Sequence, residues 1–183
     1  MIEDFLVPFF AVGLAELGDK TQLSVLLLSS KTDRHFSLLL GVVLAFMVVD
    51  GIAIAAGSWV TSVVSPSTLK AVSGVVFLVF GFLILRGGGV ADASAMSLRN
   101  PFASGFALIL LTELGDKTQI ACALFATKYG AFMVFLGAVL SLALLSAAAV
   151  YLGRSISEKI DRKLMSKVAG GLFLLLGVLS LLL

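Results

Sequence analysis

The heptapeptide Glu-Leu-Gly-Asp-Lys-Thr-Gln occurs twice in this chain, at residues 16–22 and again at residues 113–119. Both copies lie inside long apolar stretches. A charged side chain near the centre of a membrane-spanning helix costs roughly 2.5–3.5 kcal/mol, so the six charges of the two copies would cost on the order of 15–20 kcal/mol if unpaired. The fold must therefore bring these groups to one another or to an ion.

The composition is that of an integral membrane protein. Of the 183 residues, 60% are hydrophobic and only 13% are charged, whereas a soluble domain is about 25% charged. The length suits one compact helical bundle. Cys122 is the single cysteine, so no intrachain disulfide is possible.

Six stretches are long and apolar enough to span a bilayer as helices. They cover residues 5–29, 37–61, 67–86, 101–126, 131–152 and 165–183. Ser65-Pro66 and Asn100-Pro101 each read as an N-cap followed by proline at the first helical position, which starts the third and fourth spans. The predicted fold class is an all-α membrane protein with six transmembrane helices.

The second half of the chain repeats the first. Glu16 matches Glu113, and after a deletion of one residue Gly41 matches Gly137. Each repeat has three spans, an odd number, so the two repeats must enter the membrane in opposite directions. Inverted repeats of this kind place a transport site at the bilayer midplane between them. Small residues such as Gly41 are expected to permit close contact between helices.

The predicted organisation is a first three-helix repeat at 1–86, a cytoplasmic linker at 87–100 and a second, inverted repeat at 101–183. Nine of the 13 lysines and arginines fall in loops on one side, two fall on the other, and the remaining two belong to the motifs. The positive-inside rule makes the basic side cytoplasmic and leaves both termini outside. The basic loop at 154–167 could also bind nucleic acid, but the acidic residues within it favour a topology signal, so we expect no nucleic-acid partner.

The polar residues of each motif are predicted to share one side of their helix. At 100° per residue this set is Glu16, Asp19, Lys20 and Gln22 in the first copy, and Glu113, Asp116, Lys117 and Gln119 in the second. Inverted symmetry would bring the two sets together near the bilayer centre. Thr21 and its counterpart Thr118 would point away, unless the helices break at Gly18 and Gly115, as the discontinuous helices of transporters do. The sequence leaves both possibilities open.

Converging carboxylate, amide and hydroxyl oxygens form a hard ligand set, which suits calcium, magnesium or manganese rather than zinc or copper. His35 lies in a loop and Cys122 has no cysteine partner, so a site for a soft metal is not expected. The four carboxylates and two lysines leave a net charge of −2, which one divalent cation would neutralise. Without the ion, protons are the simplest replacement, because crowded carboxylates in a low dielectric hold protons tightly.

The lysines are expected to pair with glutamates four residues earlier, Glu16 with Lys20 and Glu113 with Lys117, limiting the negative charge of the empty site. The alternative is that these are buried ion pairs that only join two helices. Intramembrane ionisable groups are a functional hypothesis by default, and their duplication favours function.

Asp50 is the one further carboxylate inside a predicted span, and its counterpart in the second repeat is Ser146. It therefore breaks the symmetry of the two halves. Asp50 could carry protons or act as a ligand on the access path to the site. The alternative is a carboxyl group that is satisfied by a neighbouring hydroxyl.

The twin motifs, each of the form E-x-G-D-[KR]-[TS], resemble those of the calcium:cation antiporter family, which includes the Golgi and chloroplast manganese/calcium transporters within the lysine-exporter superfamily. The resemblance covers essentially the whole chain. It implies export of Mn²⁺ or Ca²⁺ from the cytosol coupled to proton entry. The site residues that it implies are Glu16, Asp19, Glu113 and Asp116, with Thr21, Gln22, Thr118 and Gln119 as polar neighbours.

Targeting extensions and long central loops occur in eukaryotic members of that family, and this chain shows neither. The resemblance therefore implies the plasma membrane of a prokaryote. Beyond the transported ion, protons and lipid, no cofactor is expected, and a homodimer is reasonable for so small a transporter. Mn²⁺ and Ca²⁺ both accept oxygen ligands, so the sequence leaves both open.

Three other functions deserve comparison. A lysine-exporter-type carrier of a small organic solute would share the six spans, but its site should be less acidic. A passive divalent-cation channel would be obstructed by the buried lysines. An intramembrane aspartyl protease uses a Gly-x-Gly-Asp motif, whereas the first position here is Glu16 or Glu113, and we expect no enzyme activity.

Replacement of either motif glutamate tests the shared site. We expect Glu16→Gln and Glu113→Gln each to abolish transport while expression and folding stay largely intact, because each removes one charge of a cluster built from both repeats. The measurement is metal-driven proton flux in proteoliposomes. Normal transport by either variant would contradict a shared midplane site.

Overall fold

The computed structural model describes residues 2–86, 100–151 and 162–182, and within these ranges the chain is helical and has no strand. The helices are α1 Ile2–Glu16, α2 Lys20–Ser29, α3 His35–Val60, α4 Pro66–Leu85, α5 Pro101–Glu113, α6 Lys117–Lys128, α7 Ala131–Tyr151 and α8 Arg162–Leu182. By length and composition, α3 and α7 are able to cross a membrane. The predicted all-α fold is confirmed.

Two helix starts follow the predicted capping chemistry. The Asn100 side chain accepts hydrogen bonds from the backbone N–H groups of Phe102 and Ala103, at 3.1 and 3.4 Å, with proline at the first helical position of α5. At the start of α4, Oγ of Ser65 accepts from the N–H of Thr68 at 3.3 Å. The predicted linker lies outside the described residues except for Asn100, and so does most of the basic loop that precedes α8.

The first and fourth predicted spans are each divided into two helices. α1 and α2 replace a single helix over 5–29, and α5 and α6 replace one over 101–126. Both interruptions fall within the repeated heptapeptide, so the motif marks a break in the helix.

The α1–α2 segment runs parallel to α7. Near the start of α1, the Asp4 carboxylate accepts from the N–H of Gly130 at 3.4 Å. Near the end of α2, Oγ of Ser29 donates to the carbonyl oxygen of Val150 at 2.8 Å. Later residues of α1–α2 therefore contact later residues of α7, so the two segments are parallel.

The α5–α6 segment runs parallel to α3 in the same way. A Cβ on Gly41 would lie 2.1 Å from the carbonyl oxygen of Phe102, and a Cβ on Gly57 would lie 2.0 Å from that of Ala123. The backbones are thus too close for any side chain at these two positions. The expectation that small residues permit close helix contact is confirmed here.

Helices α4 and α8 pack against each other in opposite directions. Gly74 lies against Gly177, whereas Gly81, further along α4, lies against the earlier Gly170 of α8. Later residues of α4 therefore contact earlier residues of α8, so the two helices are antiparallel.

All eight of the described helices contribute to the buried core. It includes Val12, Leu38, Val42, Ile109, Phe125 and Leu142, each at most 2% exposed. Large apolar side chains also cover the outside of the bundle, for example Ile52 on α3 and Leu144 on α7. An apolar exterior around a helical core is typical of a protein surrounded by lipid.

Candidate cation site

Each motif contains a helix break at its glycine. Gly18 has a φ of +80° and Gly115 a φ of +84°, both in the left-handed region. This region costs roughly 1–2 kcal/mol for a residue with a Cβ, and glycine avoids the cost. In both copies the helix ends at the motif glutamate and resumes at the motif lysine. The possibility that the sequence left open, discontinuous helices, is the one that the structure shows.

The break turns the motif threonines toward the opposite half. Thr21 donates from Oγ1 to Oε1 of Glu113 at 2.6 Å, and Thr118 donates in the same way to Oε1 of Glu16. Glu16 is 1% exposed and Glu113 is 3% exposed. The crossed hydrogen bonds also show that α1–α2 and α5–α6 pass each other in opposite directions, since residue 16 faces 118 and residue 21 faces 113.

Three carboxylates converge beside these hydrogen bonds. One oxygen each of Glu16, Asp19 and Asp116 lies within 4.8 Å of the other two. Oxygen ligands lie about 2.3–2.6 Å from Ca²⁺, so oxygens on opposite sides of such an ion are about 4.6–5.2 Å apart and neighbouring ones are closer. The spacing therefore fits a single hard cation bound by both halves. Glu113 is not one of the three and bonds to Thr21 instead.

Lys117 places its ammonium group among these three carboxylates. Its Nζ lies 2.6 Å from Oδ2 of Asp19, 3.1 Å from Oδ2 of Asp116 and 3.5 Å from Oε1 of Glu16. The predicted pairing of Lys117 with Glu113 was wrong, because it assumed a continuous helix and the break at Gly115 separates the two. For the first copy, the Lys20 side chain lies outside the described part of the structure.

Gln119 holds the break of the second motif in place. Its Oε1 accepts from the N–H of Gly115 at 2.6 Å, and its Nε2 donates to the carbonyl oxygen of Val49 on α3 at 3.3 Å. Gln119 thus links the broken segment to α3, a role that its place in the motif does not reveal. Gln22 is half-buried at the matching position of α2.

Asp50 is buried beside this cluster, with 2% of its surface exposed. The Cys122 thiol of α6 and the Glu16 carboxylate are both close enough to interact with it electrostatically. Within the described residues, Oδ2 of Asp50 has no hydrogen-bond partner. Sequence reasoning set Cys122 aside because it lacks a cysteine partner. Its position three residues after Gln119, on the same face of a helix, was the signal that it would lie near the site.

The chain also matches known proteins over most of its length. A family described as "Divalent cation/proton antiporter GDT1" matches residues 4–92 and 101–183. This chain belongs to that family. The expected resemblance is confirmed, and the protein is a membrane transporter whose partners are a divalent cation and protons. The family consists of divalent cation/proton antiporters, so its description matches neither an organic-solute carrier nor a passive channel nor a protease.

Individual relatives span nearly the whole chain. A Vibrio cholerae protein named as a candidate manganese exporter is 34% identical over 174 residues, which are 94% of this chain and 87% of the relative. A rice GDT1-like protein is 27% identical over 207 residues, covering 91% and 89%. A GDT1-like protein of Synechocystis is 26% identical over 202 residues, covering 98% and 97%. No solved structure matches.

The helix break is open to a direct test at Gly115. A Cβ there would meet no atom within 4 Å, so Gly115→Ala changes only the cost of the left-handed conformation. We expect it to lower the free energy of unfolding by about 1–2 kcal/mol and to remove most of the transport activity, because the start of α6 carries Asp116 and Lys117. Thermal unfolding in detergent and metal-driven proton flux are the measurements.

The matched control is Gly171→Ala in α8, where a Cβ also meets no atom within 4 Å but the backbone is helical. Alanine should be neutral there or stabilise by about 0.5–1 kcal/mol. Equal behaviour of the two variants would argue against a required break.

Proposed function

We propose that this transporter exports Mn²⁺ or Ca²⁺ from the cytosol in exchange for protons, across the plasma membrane of a prokaryote. The observation that carries the proposal is the convergence of Glu16, Asp19 and Asp116 within 4.8 Å, two from one half and one from the other. The name of the Vibrio cholerae relative supports manganese and the direction of export. The bacterial relatives support a prokaryotic membrane.

The proposed architecture is six membrane spans in two inverted three-helix repeats, at 1–86 and 101–183. The helix directions support it. Six alternating spans require the first span to run parallel to the fifth, the second parallel to the fourth, and the third antiparallel to the sixth. The contacts of α1–α2 with α7, α3 with α5–α6, and α4 with α8 have these directions. By the positive-inside rule, the distribution of basic residues supports a cytoplasmic linker with both termini outside.

The proposed ligand set extends beyond the three converging carboxylates. Ca²⁺ takes six to eight oxygen ligands, so further oxygens must come from the protein or from water. The remaining motif residues that we assign to the metal are Glu113, Thr21, Gln22, Thr118 and Gln119. Thr118 supports this because its hydroxyl already contacts Glu16. Oε1 of Gln119 accepts one hydrogen bond, from the N–H of Gly115, and its second lone pair remains for a metal.

Proton binding follows from the charge of the carboxylate cluster. When the metal leaves, protons and lysine ammonium groups neutralise the carboxylates that it bound. We propose Asp50 as a further proton-coupling residue, since one of its oxygens lacks a hydrogen-bond partner within the described residues and an unpaired buried carboxylate is costly. Lipid is the proposed partner of the apolar exterior. The homodimer stays a prediction.

The exchange itself is tested in proteoliposomes that contain a pH dye. We expect external Mn²⁺ or Ca²⁺ to make the interior more alkaline, because protons leave as the metal enters, whereas lysine should have no effect. Repeating the assay with Mg²⁺ shows how the rate of proton movement depends on the size of the ion. Entry of labelled metal without any proton movement would contradict proton exchange, and absence of metal movement would contradict the site.

Asp50 is tested by separating metal movement from proton coupling. We expect Asp50→Asn to keep exchange of labelled for unlabelled Mn²⁺, which needs no net proton movement, and to lower transport driven by a pH gradient at least several-fold. Ser146→Ala, at the matching position of the other half, should behave like the wild type in both assays. An Asp50→Asn protein with normal gradient-driven transport would exclude this role.

A further inference from the structure

The ammonium group of Lys117 occupies the space between the three carboxylates. Its Nζ is within 3.5 Å of one oxygen of each, and these are the groups whose oxygens lie within 4.8 Å of one another. The side chain belongs to the second half, yet its shortest contact, at 2.6 Å, is with Asp19 of the first half. A covalently attached cation therefore already sits where a free cation would bind.

A metal ion and this ammonium group exclude each other. A metal bound to the same oxygens at about 2.3–2.6 Å would have to share the gap with a second positive charge that also contacts all three carboxylates. Like charges at that separation repel each other. The lysine must therefore move when the metal enters.

The burial of the cluster gives the lysine a direction in which to move. Glu16 forms the closed end, since its side chain is 1% exposed. Asp19 and Asp116 are 32% and 26% exposed, and Lys117 itself is 24% exposed. A flexible four-carbon chain can withdraw toward the more open end while its ammonium group keeps contact with solvent.

We propose that Lys117 is a tethered competitor of the transported cation, which neutralises the empty site, is displaced by the incoming metal and returns to promote its release. The inference rests on the proposed function, since it takes the three carboxylates as metal ligands. Because the ammonium is attached to the chain, its effective concentration at the site is high. Lys117 therefore lowers the affinity of the site for metal, and weaker binding permits faster release and turnover.

A purely structural role for Lys117 predicts the opposite effect on binding. If the ammonium only held Glu16, Asp19 and Asp116 in position, its removal would let like charges separate and would weaken metal binding. If it competes, its removal strengthens binding. The sign of the change in affinity thus decides between the two roles.

The first experiment measures equilibrium binding of Mn²⁺ and of Ca²⁺ to the purified full-length protein in detergent. We expect Lys117→Met to bind about tenfold more tightly or better, equivalent to at least about 1.4 kcal/mol, and to show lower values of both KM and maximal transport rate because release is slowed. Lys117→Arg keeps a cation and should retain weak binding. Unchanged or weaker binding by Lys117→Met would overturn the proposal.

The second experiment compares two adducts of one protein. Lys117→Cys is made in a Cys122→Ala background, which serves as the reference. Its thiolate attacks a methanethiosulfonate reagent, forming a disulfide and releasing methanesulfinate. An aminoethyl reagent installs an ammonium group, and an ethyl reagent installs a neutral group. We expect weak metal binding to return only with the ammonium adduct, and equal binding by the two adducts would refute competition.

Displacement is tested separately by chemical labelling of Lys117 in the wild-type protein. Acetylation of its amine is followed by peptide mass spectrometry with and without Mn²⁺. We expect faster labelling with the metal, because the ammonium has left the carboxylates, and protection by the metal would contradict displacement. These outcomes are distinct from failure of the proposed function, in which the wild-type protein would neither bind nor move a divalent cation.

Discussion

The need to neutralise charge inside an apolar bundle governs the rest of this structure. Glu16 and Glu113 are almost fully buried, and each accepts a hydrogen bond from a threonine of the other half. Neither half could satisfy its own glutamate in this way, so the halves are complete only as a pair. The parallel and antiparallel helix contacts around them position these groups, and the close approach of α3 to α5 and α6 is part of that positioning.

The glycine of each motif makes this exchange geometrically possible. In a continuous helix the threonine lies on the far side from the glutamate, about 140° away. A left-handed residue at Gly18 and at Gly115 redirects the chain, so that the glutamate and the threonine of one copy both face the other copy. The meeting of hydroxyl and carboxylate groups at this site therefore depends on the φ angles of Gly18 and Gly115.

Symmetry accounts for only part of the site, since two of the three converging carboxylates come from one half. The two breaks and the crossed hydrogen bonds have the same form in both copies. Asp50 faces Cys122 on one side only, because the other half has Ser146 at the matching position. Antiport of two different ions does not require a symmetric site, since the metal binds to several oxygens and a proton to one.

The sequence by itself identified charged residues that the structure brings together, and the kind of fold in which they lie. Its apolar stretches predicted the helices, its Asn-Pro and Ser-Pro pairs located two helix starts, and the repeated motif identified the charged residues that had to meet. These features can be predicted from the sequence because hydrophobicity, capping and repetition depend on residues that are close together or recur along the chain. The family resemblance followed from the same motif.

Only the tertiary structure decided which of these groups touch. The partner of Lys117 was predicted from helical spacing as Glu113, whereas the structure places it among Glu16, Asp19 and Asp116. The position of Asp50 beside Cys122, and the bonds from Gln119 to Gly115 and Val49, likewise join distant parts of the chain. The physical reason is that a single glycine in the left-handed conformation redirects every residue after it, and the sequence shows the glycine without showing its torsion angle.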